Sequence, residues 1–205
     1  MIEEIMITDI TSQKKSTDRV NIFVDGSYYG SMYVDICLKY GIKKGAVMDK
    51  ADLEHIMLDS DKEIALNKTA KYISAKMKTV KEVRDYLYQK EYGKVVVDYV
   101  INKLKEYKYL DDEAYVNAYV NTYKSKYGVL KLKNNLLIKG IDKDYLEKYF
   151  SEFESDIEGI LDIANKYMKN KELTYDNISK LYRYLACKGY SYDEINTVVS
   201  KIKGE

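Results

Sequence analysis

Val97-Asp-Tyr-Val-Ile-Asn-Lys-Leu104, Leu146-Glu-Lys-Tyr-Phe-Ser-Glu-Phe153 and Ile195-Asn-Thr-Val-Val-Ser-Lys-Ile202 are three versions of one pattern, each starting 49 residues after the last. In all three, apolar side chains stand at i, i+3, i+4 and i+7. That period makes one stripe of an amphipathic helix, which must be buried against a neighbour. The same step carries Val83 to Leu132 to Leu181, Leu87 to Leu136 to Leu185, and Lys90 to Lys139 to Lys188. Helices that return at a fixed period belong to a tandem array of one supersecondary unit. The expected fold is therefore mainly α: three three-helix repeats in tandem, with function on an extended surface rather than in a pocket.

Working outward, the first 57 residues read differently. Ile5, Ile7 and Ile10 suggest a short strand. Val20–Val24 and Ser31–Val34 flank Asp25-Gly26, a favoured two-residue hairpin turn. Asp35 to Tyr40 reads as a short helix closed by Gly41, and a second short helix begins near Asp49. The expected division is an N-terminal β-hairpin and short-helix module at 1–57, then repeats at 61–109, 111–154 and 155–205. Caps support the repeats. Thr79-Val-Lys-Glu82, Ser155-Asp-Ile-Glu158 and Ser191-Tyr-Asp-Glu194 have capping-box spacing, Thr174 opens another helix, and Gly140 and Gly189 are placed as left-handed stops.

Composition narrows the class. Charged residues at 33% and hydrophobic ones at 46% describe a soluble folded chain. No apolar run approaches the ~20 residues that span a bilayer. Cys37 and Cys187 are far apart and read as buried thiols in a reducing cytoplasm, not as a disulfide. A cytoplasmic monomer is expected. The net charge of +1 is unevenly spread: 71–108 carries ten Lys/Arg against five Asp/Glu, and 124–148 carries seven against three. By contrast 150–163 has five acids and no base. Basic stretches suit a phosphate backbone or an acidic protein surface, and also occur as solvated helix faces. The 23 tyrosines include several at core spacing, such as Tyr115, Tyr119 and Tyr149; their bodies pack while their hydroxyls reach the rim.

The candidate contact residues are basic. Lys90, Lys139 and Lys188 recur at the end of each second helix, where a lysine also offsets the negative end of the helix dipole. Arg84, Lys124, Lys126, Lys131 and Lys133 lie between core positions and could form a shared basic face. His55, the only histidine, has no Cys/His cluster around it, so no metal site is expected. Asp111, Asp112 and Glu113 sit at a helix start, where capping accounts for them. There is no phosphate-binding G-x-x-x-x-G-K-[ST] loop and no nucleophile–base–orienter set. The chain reads as a non-enzyme without catalytic residues, metal or cofactor.

Leu110-Asp-Asp-Glu-Ala-Tyr-Val-Asn-Ala-Tyr-Val120 resembles the most characteristic stretch of the RecX family. Gly128 with Leu132, Leu136 and Lys139-Gly-Ile141 resembles the second half of that signature. Lys81–Leu87 is similar to the family's first-repeat second helix, and Asn21–Gly26 with Gly41–Gly45 to the N-terminal extension of Gram-positive members. The likeness covers essentially the whole chain. It departs at Lys108, where the family usually has glycine and where a different helix cap is expected, and at Asn121, where many members carry arginine. The resemblance implies a regulator that binds RecA–single-stranded DNA filaments and restrains strand exchange, ATP hydrolysis and co-protease activity, with weak direct DNA binding in some members. The rival reading is a direct DNA-binding helical regulator using a third helix for recognition. The third helices of repeats two and three are poor in the exposed Arg, Asn and Gln that read base edges.

Overall fold

The structure, a computed structural model, describes residues 3–13 and 16–204. The chain divides into two compact units: one takes the chain up to Met77 together with Val83–Leu110, the other takes Lys78–Glu82 and everything from Asp111.

In the first unit, β1 (Glu4–Gln13), β2 (Ser16–Val24), β3 (Ser27–Tyr33) and β4 (Val47–Asp49) form an antiparallel sheet of order β3-β2-β1-β4. The hairpin turn is Asp25-Gly26, with φ of 50° and 84°. Two left-handed residues match the twist of the flanking strands. Ile5 and Ile7 point into the core, and a bulge between Ile7 and Asp9 shifts the alternation so that Ile10 packs on the same side. Strand β4 has no alternation of its own to betray it; it is held by pairing with Glu4–Met6. Helix α1 (Val34–Lys39) closes over this core with Ile36 and Cys37.

Asp49 caps α2, accepting a hydrogen bond from Ala51 N–H at 3.0 Å. The helix then runs unbroken over Lys50–Ser74. It is neither short nor interrupted between 57 and 61, where the sequence places a boundary. Leu53, Ile56, Ser60 and Ile64 continue one buried stripe through that point. The polar residues that suggest a break are accommodated on the helix: Asp59 pairs with Lys62 and with His55. Helix α4 (Lys94–Glu106) packs against α2 and buries Val96, Val97, Val100, Ile101 and Leu104.

Lys108 corrects one expectation. It adopts φ 57°, with Tyr109 N–H bonded to Leu104 C=O at 2.9 Å. This is the glycine-type cap made without glycine. A left-handed L-residue costs about 1–2 kcal/mol, partly offset by the greater flexibility that glycine brings to the unfolded chain. Lys108→Gly should therefore stabilise the protein by about 0.5–1 kcal/mol, readable as a higher urea midpoint; an unchanged or lower midpoint would show that the lysine is unstrained.

Helix α3 (Val80–Gln89) has its first turn in the second unit. That unit also holds α5 (Asp112–Tyr123), α6 (Val129–Ile138), α7 (Lys143–Ser151), α8 (Ile157–Met168), α9 (Tyr175–Cys187) and α10 (Tyr192–Lys203). The 49-residue step is kept by the elements themselves: α3 and α6 start 49 apart, as do α4, α7 and α10, and α3, α6 and α9 end at Gln89, Ile138 and Cys187. Leu132, Leu136, Leu146, Val116 and Val120 form one core; Leu181, Leu185, Val198, Val199 and Ala164 form another. Burying each large aliphatic side chain contributes about 1.5–3 kcal/mol.

Two details differ from the sequence reading. α7 stops at Ser151, so Phe153 lies beyond the helix and is 36% exposed, whereas its counterpart Leu104 is 1% exposed. The box at Ser155–Glu158 does not form: Asp156 is the cap, accepting from Gly159 N–H at 2.9 Å, while Ser155 Oγ donates to Glu194 and Glu158 pairs with Lys201. Side-chain carboxylates bind helix N–H groups as well as hydroxyls do, and here the acid one residue later is the better placed. The boxes at Thr79 and Ser191 do form.

The second helices meet head to tail. Thr79 Oγ1 donates to Lys139 C=O at 2.7 Å. One period later, Gly128 N–H donates to Lys188 C=O at 3.0 Å and Leu130 N–H to Gly189 C=O at 3.2 Å. In the first joint a side-chain hydroxyl, and in the second the N–H groups of a helix start, meet carbonyls left unsatisfied at another helix end. Among the described residues, no helix is long and apolar enough to cross a membrane and no group of side chains could hold a metal ion.

Candidate functional site: a basic and aromatic surface on the second unit

Tyr115, Tyr119, Tyr123 and Tyr127 are spaced by four, so α5 and the turn after it carry their rings along one side. Successive centroids are 6.2, 4.6 and 6.1 Å apart. Tyr115 is buried and the other three are half-buried. Asn135 of α6 donates to Tyr119 Oη at 3.0 Å, which fixes that ring.

Cations bracket this series. At one end, Lys139 Nζ sits 5.5 Å from the Tyr115 ring centre. At the other, Lys131 and Lys188 stand 5.2 and 5.6 Å from the Tyr127 ring centre. Such contacts are worth about 0.5–1 kcal/mol when exposed. Lys131 also donates to Cys187 C=O at 3.1 Å, which ties it to the α9 cap. Cys187 is itself exposed, unlike the buried thiol expected; Cys37 is buried, and burial pushes its thiol pKa up.

The sequence-predicted basic residues separate into classes. Lys124 and Lys126 lie just past α5, exposed, with no hydrogen bond or ion pair for their side chains among the described residues. Lys133 is engaged by Glu147 at 2.6 Å and is only 20% exposed. Lys139 is engaged by Glu82 at 2.8 Å. Burial draws the Lys139 pKa down, but hydrogen bonds to Glu82 and Tyr115 outweigh it and hold the group well above the ordinary lysine value. Glu82 answers in kind: burial pushes it up, while Lys139 and the Thr79 N–H pull it below the usual carboxylate range. The pair fastens the α3 start to the α6 end, so Lys139 is chiefly structural.

Arg84 and Lys90 belong to the first unit. Arg84 reaches Asp98 at 3.4 Å, and Lys94 shares that carboxylate. Lys90 is exposed beside the Tyr86 ring, 5.9 Å from its centre.

The surface brought together on the second unit is thus Lys124, Lys126, Lys131 and Lys188 around Tyr123 and Tyr127. Lys188 enters this set only through the joint between α6 and α9. Its 49-residue spacing from Lys139 was visible in sequence, but its proximity to Tyr127 required the joint itself. Such a surface can bind polyanions by charge and planar groups by stacking.

Comparison with known proteins agrees with this fold. The Regulatory protein RecX N-terminal domain matches residues 5–49, and the RecX first three-helix domain matches residues 65–104. The regulatory protein RecX of Clostridium acetobutylicum is 34% identical over 212 residues, covering 100% of this chain and 99% of that protein. That of Bacillus velezensis is 35% identical over 205 residues, covering 97% of this chain and 78% of its own length. A crystal structure of regulatory protein RecX superposes with a TM-score of 0.67 at 23% identity, covering 98% of this chain and 100% of that one. The crystal structure of RecX from Lactobacillus salivarius gives 0.63 at 27% identity over 71% of this chain and 98% of that one. With full-length relatives above 30% identity and the repeats in register, the chain belongs to the RecX family.

Proposed function

We propose that this protein binds RecA filaments on single-stranded DNA and restrains their strand exchange, ATP hydrolysis and co-protease activity, a cytoplasmic, non-enzymatic role in recombination, DNA repair and the SOS response. It acts as a monomer and without a cofactor. The observation that carries this reading is the exposed, unpaired Lys124 and Lys126 beside Tyr123 and Tyr127 on a chain of the RecX family. A filament of protein and DNA offers both phosphate and acidic side chains to such a surface. The proposed division is an N-terminal module followed by three repeats, 61–109, 111–154 and 155–205, with the basic faces of repeats one and two turned to the filament.

Direct DNA binding is the second reading. Tyrosine rings flanked by lysines are the elements of a sequence-tolerant single-strand site, and Tyr123 and Tyr127 have that setting. Co-sedimentation separates the two. The protein should pellet with RecA–single-stranded DNA well beyond its retention on the same DNA alone, and RecA ATP hydrolysis should fall as it binds. Equal retention on bare DNA with unchanged ATP hydrolysis would leave only the second reading.

A further inference from the structure

A cavity of about 350 Å³ opens beside the basic surface, wholly within the second unit, among the α5–α6 turn, the α7–α8 turn and the start of α10. That volume is at the small end for ligand sites and fits one long side chain or a small organic ion. Its wall is apolar, with Phe153, Ile160, Ile163 and Leu132. Phe153 is available for this wall because α7 ends at Ser151. Its rim is acidic, with Glu154, Asp156 and Glu194. Glu154 and Asp156 belong to a stretch, 150–163, that holds five acids and no base.

The acceptors at the rim are not equally committed. Glu194 is spent on Ser191 N–H, at 2.6 Å, and on Ser155 Oγ. Asp156 uses Oδ1 on Gly159 N–H, and its Oδ2 lies over Gly159, where a Cβ would come within 2.3 Å of it. Glu154 has no partner among the described residues. A second and independent feature points inward. Tyr190 lines the cavity and is 6% exposed, yet its hydroxyl has no hydrogen-bond partner among the described residues. Burial, with Glu194 and Asp156 nearby, pushes that hydroxyl up to about 12, so it stays protonated and can both donate and accept. The ring is buried, but the hydroxyl is not among the buried atoms left without a partner, which among the described residues are Arg19 Nε and Ser60 Oγ, so it is open to solvent and within reach of a ligand in the cavity.

We propose that this cavity receives the arginine side chain of a protein partner. The guanidinium is planar and weakly hydrated, can lie against Phe153, and carries five donors for the Tyr190 oxygen, Asp156 Oδ2 and the Glu154 carboxylate. A lysine ammonium is compact and strongly hydrated, and gains less from an apolar wall with acceptors on several sides. Lys124, a cation of the chain's own that lines the cavity, forms no ion pair with these acids. The site is independent of the filament reading, because it depends on a cation on the partner and not on its phosphate or acid.

The test is an amide NMR titration of the full-length protein with acetyl-Gly-Arg-Gly-amide, and with the same peptide carrying lysine or citrulline. Saturable shifts are expected at 124–132, 153–163 and 190–194 with arginine, with lysine about fivefold weaker or worse and citrulline inert. Tyr190→Phe and Glu154→Gln, which leave the core and the caps in place, should each weaken the arginine response several-fold. Shifts elsewhere, no saturation with arginine, equal binding of lysine or citrulline, or an unaffected response in both variants would each overturn the proposal.

Discussion

Gly189→Ala should destabilise the protein by about 2–5 kcal/mol. Gly189 has φ 89°, a conformation that costs an L-residue about 1–2 kcal/mol. Its added Cβ would also lie 2.4 Å from both the backbone nitrogen and the Cβ of Lys131. Neither atom is the free end of a flexible side chain. Retreat is blocked because Leu130 N–H is bonded to Gly189 C=O and Gly128 N–H to Lys188 C=O. Forced overpacking adds about 1–3 kcal/mol. Gly45→Ala is the control, since Gly45 shares the positive φ (83°) but a Cβ there meets nothing within 4 Å. Urea unfolding followed by circular dichroism should show a much larger loss at 189 than at 45. Equal losses would mean that the joint between α6 and α9 adds nothing beyond backbone strain.

Reversing the two unpaired charges, Lys124→Glu with Lys126→Glu, should weaken binding to RecA–single-stranded DNA filaments by about tenfold at low salt. Both side chains are exposed, so helix content should hold. Lys133 and Lys139 are left alone: Glu147 and Glu82 already face them, and a carboxylate at either place would set two acids against each other. Lys166→Glu with Lys169→Glu removes the same charge from exposed positions on and just after α8 and should matter far less. Raising the salt should narrow the gap between wild type and the 124/126 variant, because exposed charges are screened over about 8 Å at physiological ionic strength. Undiminished filament binding by the 124/126 variant at low salt would remove this surface from the interface without touching membership of the family.

The helices were legible because two signals agreed. The apolar stripes of α4, α7 and α10 kept their spacing, and Gly140 and Gly189 stopped the preceding helices, α6 and α9, at the same step. Strand β4 was not legible, since three residues held by pairing to β1 leave no period to read. The continuity of α2 was hidden by Asp59-Ser-Asp61, residues that open helices as readily as they sit within them; only the burial of Ser60 in line with Ile56 and Ile64 decides between the two. Lys108 misled for a related reason, because composition shows that glycine is missing without showing that the backbone kept glycine's shape.

For the candidate surface, the sequence supplied the right charges and could not rank them. Lys124 and Lys133 look alike between core positions, yet one is open to solvent and the other is held by an acid fourteen residues away. Ion pairing of this kind follows from packing between helices, which spacing along one helix does not reveal. Phe153 was missed as a cavity-lining group because it occupies a position that reads as core, and Tyr190, just after the Gly189 stop, belongs to no stripe that would single it out.

The head-to-tail joints give the array a direction. In each, the start of one second helix, at Thr79 or at Gly128, takes up carbonyls from the end of the next second helix. Two periods after Thr79 stands Asn177, but α9 begins earlier, at Tyr175, and Thr174 already caps it by accepting from Asn177 N–H. One added turn of helix thus sets the start of α9 apart from those of α3 and α6, so the three second helices are not interchangeable within the array.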